Sequence, residues 1–258
     1  MDLQIKGKRA LVTGSGKGIG RGIALALAEE GVKVAVHYNF NPQTAQETME
    51  MLEKMGATAV LIQADVSTPE GCKKAIDETV KQLGGLDILV NNAALQTNNE
   101  IHEYSEEHFD LIMNTNLRGY WLCTQYAIPH LKECGCGRVI YISSVHGKRP
   151  FDLDPVYSMT KGGIKMLARE AAIELGQYGI TCNILAPGAV RIEFKTHVEG
   201  AGQWKGGRRQ RKREYKHFPA GRAGLPSDLG YMVCALASPK SEHITGSGLR
   251  MDGGSMLL

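Results

Sequence analysis

Aromatic residues make up only 6% of this 258-residue sequence. No apolar run approaches the roughly 20 residues that a membrane-spanning helix needs. The N-terminal stretch MDLQIKGKRALVTG passes from charged residues straight into a short apolar run, so neither a secretory leader nor a membrane association is expected. The six cysteines, at 72, 123, 134, 136, 182 and 234, form no paired CxxC framework. Cys134 and Cys136 are separated by one residue and have no matching histidine cluster, so no metal site is expected. Reduced thiols in a cytoplasmic protein are the simplest consequence. A strong charge of one sign is also missing, since the formal net charge is +3. The positive charge is concentrated in KGGRRQRKREYKH (205–217), which leaves the rest of the chain net acidic. With the rest of the chain net acidic and aromatics scarce, a nucleic-acid partner is not expected.

What is present is a core-forming composition, 43% hydrophobic and 22% charged, with 31 glycines. Short Val/Ile/Leu-rich runs at 9–14, 33–38, 58–64, 86–92, 137–144 and 180–187 read as strands buried on both faces. Helical spacing fills the segments between them. Gly31 is placed to end the first helix, and Thr68 with Pro69 to start another. Six strand-plus-helix units predict an α/β fold: a single Rossmann-type, doubly wound parallel sheet flanked by helices on both faces. No linker or repeat divides the chain, so residues 1–258 read as one catalytic domain. The polar, basic segment 191–220 reads as a substrate-covering flap.

The first strand runs into TGSGKGIG, which opens a helix. Gly14, Gly18 and Gly20 fit a G-x-x-x-G-x-G spacing. Such a turn brings free helix N–H groups close to a pyrophosphate. The acid that usually meets a ribose 2′-hydroxyl at the end of strand two is missing from VHYNFN, the stretch that holds Asn39. Lys17 offers a cation instead. NADP is therefore expected in preference to NAD, with NAD possible. Tyr157 and Lys161, in VYSMTKGG, stand four residues apart and so share one helical face. A nearby cation favours phenolate and lowers a tyrosine's pKa by about 1–3 units.

TGSGKGIG, NNAA (91–94), SS (143–144), YSMTK (157–161) and PG (187–188) resemble, in order and spacing, the short-chain dehydrogenase/reductase family. ISSVHGKRP, TKGG and APGAV are most similar to bacterial glucose 1-dehydrogenase-type sugar dehydrogenases. The resemblance implies Tyr157 as general acid/base, Lys161 as its partner, Ser144 orienting the substrate oxygen, and Asn116 in a proton relay. It implies cofactor contacts from Gly14, Lys17, Gly18, Ile19, Gly20, Asn39, Asp65, Val66, Asn92, Tyr157, Lys161, Pro187, Gly188 and Val190. Gln96 and His146 are candidate substrate contacts. Ala94 departs from the family's usual glycine, and Ile192 from its usual hydroxyl residue. The implied activity is hydride transfer between NADP(H) and a secondary alcohol or ketone, with a sugar or sugar derivative as substrate. A 3-oxoacyl-thioester reductase and a non-catalytic nucleotide-binding regulator are the alternatives. The resemblance further implies a homotetramer, with the SMLL tail (255–258) at a subunit contact. The basic cluster around Arg208, Arg209, Arg211, Lys212, Arg213 and Lys216 either attracts an anionic substrate or is a solvated face.

Overall fold

A computed structural model describes residues 1–150, 154–192 and 218–257. Among the described residues seven strands and seven α-helices follow one another: β1 Arg9–Val12, α1 Gly18–Glu29, β2 Lys33–Tyr38, α2 Pro42–Lys54, β3 Ala59–Gln63, α3 Pro69–Leu83, β4 Ile88–Asn91, α4 Glu106–Met113, α5 Gly119–Glu133, β5 Arg138–Ile142, α6 Pro155–Gly176, β6 Thr181–Pro187, α7 Pro226–Ala237 and β7 Gly248–Met251. The strands form one sheet in the order β3-β2-β1-β4-β5-β6-β7, and every pairing is parallel.

Alternation along each strand divides the core. Leu11 and Leu89 face one layer with Ile76 of α3, Leu131 of α5 and Ile164 of α6. Val12 and Val90 face the other layer, with Ile23 and Leu27 of α1 and Leu229 of α7. Fully burying each such side chain contributes about 1.5–3 kcal/mol. β1 pairs with β2 on one side and β4 on the other, so the winding direction reverses between β1 and β4. Ligands bind at the carboxyl ends of strands at such a switch point.

The helix ends follow local chemistry. Thr68 accepts the Gly71 N–H at 3.0 Å to open α3, and Gly84 closes it at φ +80°. Gly31, at φ +75°, ends α1 in the same way. Six strands are expected from the sequence, one fewer than the structure has among the described residues. The seventh, β7, is a four-residue edge strand whose residues are exposed or half-buried, so it lacks the continuous apolar run of its neighbours. No helix among the described residues is long and apolar enough to cross a membrane. The expected flap lies outside the described residues except for its ends. There Val190 bridges Gly224, and the Arg191 N–H donates to the Gly224 carbonyl at 2.8 Å. The basic cluster at 205–217 also lies outside them.

Candidate active site

The glycine turn sits where β1 ends beside β4. Gly14 and Gly18 have φ of +65° and +59°, the left-handed region that side chains disfavour. A Cβ on Gly14 would approach Ala93 Cα to 2.9 Å, and one on Gly20 would reach the Gly14 carbonyl oxygen at 2.4 Å. Helix α1 starts at Gly18 with no side-chain cap and no acid in its first turn, so its positive end is left for an anion. This cradle fits the pyrophosphate of a dinucleotide. Lys17 is exposed at the N-cap position, Ile19 is half-buried behind it, and Ile192 lies against Gly18.

Three side chains brace the turn from behind, two of which the sequence reading misses. His37, fully buried at the end of β2, accepts the Gly14 N–H on Nδ1 at 3.0 Å. Its Nε2 therefore carries the proton and donates to the Ala64 carbonyl at 3.1 Å. Burial pushes its pKa down to about 4, against the opposing pull of Ala64 and Asp65, which keeps the ring neutral. Arg21 donates to the carbonyls of Gly16 (2.8 Å) and Thr44 (2.9 Å) and pairs with Glu47 at 3.0 Å. Asn92 donates to the Thr13 and Gly14 carbonyls at 2.7 and 3.2 Å, so its amide ties β4 to the turn. A histidine inside an apolar strand and an arginine after GIG carry no ligand signal in a single sequence.

Asn39 follows β2, half-buried, with its carbonyl accepting from Gln63 at 3.2 Å. Asp65 follows β3, and its Oδ1 accepts both the N–H and the hydroxyl of Ser67, at 2.9 and 2.7 Å. Val66 beside it is buried in the core. Pro187 ends β6, Gly188 donates to the Met251 carbonyl at 2.9 Å, and Val190 closes the base of the following segment. Ala94 is exposed, and its φ is not positive, so the family's glycine is not required there.

Tyr157 and Lys161 lie on the first turns of α6, with the Lys161 nitrogen 5.3 Å from the tyrosine ring centre. Lys161 is 2% exposed and donates to the Ile142 carbonyl at 2.9 Å. Ser143 donates to the Lys161 carbonyl at 2.7 Å and fixes α6 against β5. A Cβ on Gly147 would meet that same carbonyl oxygen at 2.5 Å. Ser144 follows β5 beside the Tyr157 phenol, whose ionised form it favours, and its Oγ accepts the His146 N–H at 3.1 Å. His146 itself is half-buried, with Nδ1 3.3 Å from the Arg149 carbonyl. Gln96 is exposed beside Asp154.

Burial dominates the electrostatics. It lifts Tyr157 up to about 12, with Ser144 pulling down and Asp154 pushing up. It lowers Lys161 to about 7. The expected lowering of the phenol by the lysine does not arise from the protein's own groups, because the dry surroundings disfavour both charges. Asn116 is the residue expected in a proton relay. It lies fully buried in a π-helical turn, Asn114–Arg118, that joins α4 to α5. Its side chain grips the Leu95 backbone, accepting the N–H at 2.7 Å and donating to the carbonyl at 2.8 Å, and also reaches Thr160 at 3.3 Å. It makes no hydrogen bond to Lys161.

A phenol, a hydroxyl and an amine come together after β5 and on α6, on the same carboxyl side of the parallel sheet as the glycine turn. A family model described as Enoyl-(Acyl carrier protein) reductase matches residues 14–256. The 3-oxoacyl-(acyl-carrier-protein) reductase FabG of Staphylococcus aureus is 36% identical over 247 residues, 96% of this chain and 97% of its own. Glucose 1-dehydrogenase 2 of Bacillus subtilis is 33% identical over 255 residues, 98% of this chain and 96% of its own. A solved short chain dehydrogenase of Burkholderia cenocepacia, in complex with NADP, is similar with a TM-score of 0.86 at 31% identity, covering 98% of this chain and 99% of that one.

Proposed function

The chain belongs to the short-chain dehydrogenase/reductase family, NAD(P)-dependent oxidoreductases, and from that membership we propose its particular reaction. It transfers a hydride between NADP(H) and a secondary alcohol or ketone of a sugar or sugar derivative. The convergence of Ser144 on Tyr157, with Lys161 on the same helical face, carries this reading.

The glycine turn, Lys17 and the N-terminus of α1 hold the dinucleotide, and Asn39, Asp65, Asn92 and the 187–190 stretch line its course. The nicotinamide, when bound, gives or accepts the hydride and, in its oxidised form, brings positive charge. Ser144 orients the substrate oxygen. Tyr157 passes the proton to or from that oxygen. A buried phenol lifted to about 12 is protonated at neutral pH and so has a proton to give to the more basic developing alkoxide. In the oxidative direction Tyr157 needs added positive charge nearby. Lys161 braces the start of α6, and Asn116 holds the 95–97 loop. Lys17 and the lack of an acid after β2 support NADP over NAD.

The enzyme acts as one catalytic domain, in the cytoplasm, as a homotetramer. Exposed Trp121 on α5, with Met166 and Ile173 on α6, supports self-association, and six unpaired cysteines suit a reducing compartment. A second reading, reduction of 3-oxoacyl thioesters, is favoured by the family model's description and by the S. aureus relative. A panel followed by nicotinamide absorbance separates the two. Oxidation of aldoses faster than reduction of an acetoacetyl thioester supports the sugar reading, and the reverse order overturns it.

A further inference from the structure

We propose that Asp154 is a substrate-binding residue whose carboxylate accepts a hydrogen bond from a second hydroxyl of the substrate, selecting polyhydroxylated alcohols over bare acyl chains. The inference rests on the oxidoreductase reading above and names the group that sets its substrate class.

Asp154 stands immediately before Pro155, at the N-cap of α6 and three residues ahead of Tyr157. Aspartate there ordinarily accepts an N–H of the first helical turn. This one makes no capping hydrogen bond. The Tyr157 N–H approaches it and favours its ionised form, as does Gln96, yet neither satisfies Oδ2. The carboxylate instead turns to the loop after β4. Its Oδ1 accepts the Tyr104 hydroxyl at 3.2 Å, and that hydroxyl meets Thr97 Oγ1 at 2.7 Å.

Asp154 is 1% exposed, and its Oδ2 has no hydrogen-bond partner. A buried carboxylate oxygen without a donor is unfavourable, and native proteins retain few of them. Burial accordingly raises this acid's pKa to about 6. The charge also acts on Tyr157, whose phenol it pushes up. An unsatisfied acceptor therefore lies between the proton-transfer residue and the 96–104 loop. A hydroxyl donor completes it. A methylene chain in the same place leaves it orphaned, and sites built around a polar partner reject substrates lacking that partner.

The test compares matched pairs, a vicinal diol and its monodeoxy secondary alcohol, with wild type, Asp154→Leu and Asp154→Asn. Wild type is expected to prefer the diol in kcat/KM by about 10- to 100-fold, the range of a hydrogen bond to a charged group. That ratio should fall by at least about tenfold in Asp154→Leu and by about threefold in Asp154→Asn, whose amide oxygen is a weaker acceptor. Circular dichroism checks both folds, and Asp154→Asn decides alone if the leucine variant does not fold. A wild-type ratio under about threefold, or one unchanged by the substitutions whatever the absolute rates do, overturns the proposal. Tyr157-dependent turnover of an acetoacetyl thioester alone also overturns it, while leaving the oxidoreductase reading intact. No Tyr157-dependent turnover of any alcohol or ketone sinks both.

Discussion

The Lys161 nitrogen lies 5.3 Å from the centre of the Tyr157 ring and gives its hydrogen bond to the Ile142 carbonyl, not to the phenol. The two groups share a face of α6 without direct contact between nitrogen and hydroxyl. Replacing Tyr157 by Phe removes the proton donor and leaves the ring packing in place. Turnover should drop by about 10²- to 10⁴-fold, the usual contribution of a general acid or base. The melting temperature should stay within a few degrees. Undiminished turnover in a folded variant would contradict the assignment.

Lys161 also predicts a pH dependence of stability. Its folded pKa of about 7 lies below the ordinary 10.5. Between those values the unfolded chain binds more protons, so stability from this group rises with pH. The burden of burying the ammonium is complete below pH 7 and gone above about 10.5. Lys161→Met should therefore raise the melting temperature at pH 6 and do so less at pH 9. Calorimetry at the two pH values checks it. An equal gain at both would refute the burial argument.

His37 holds Gly14 from behind, and its removal should act on the cofactor. His37→Leu leaves the Gly14 N–H and the Ala64 carbonyl unpaired, at about 1–3 kcal/mol each. The KM for NADPH should rise by about tenfold or more, with a smaller fall in kcat, and His37→Asn should recover part of it. The folded pKa of about 4 against 6.5 means that stability from this group rises from pH 4 to 6.5 and is lost on acidification. Acid titration of His37→Asn should be flatter across that window. Steady-state kinetics and acid unfolding are the two measurements.

Lys17 sits at the N-cap of α1, where a ribose phosphate would meet it. Lys17→Glu should lower the NADPH-to-NADH ratio of kcat/KM by about tenfold or more, through repulsion of the extra phosphate. A ratio that stays constant would place the 2′-phosphate elsewhere.

The alternation of strands and helices was legible because parallel strands buried on both faces are continuous apolar runs. The caps at Thr68 and Gly31 were legible because their chemistry is local. β7 was not, since half an edge strand faces outward and its pattern dissolves among glycines. The Tyr157–Lys161 spacing was readable from helix geometry, but the electrostatic outcome was not. Burial depends on what the rest of the chain packs around the pair. His37, Arg21 and Ser143 escaped for a related reason, because each reaches a backbone atom distant in sequence, that of Gly14, Thr44 and Lys161 respectively. Asn116 was found, yet its bond to Leu95 reflects how the helix is wound, which residue types do not record.

That winding has a consequence of its own. From Glu106 to Glu133 the chain runs on in helical conformation, but at Asn114–Arg118 one turn takes in an extra residue. Regular winding would shift every later side chain by a hundred degrees around the axis. Shortening this stretch by a single position would yield a tidier rod whose Asn116 no longer meets Leu95. The loop that carries Gln96 and Thr97 toward the reaction centre would lose its tether, while the rod itself could grow sturdier.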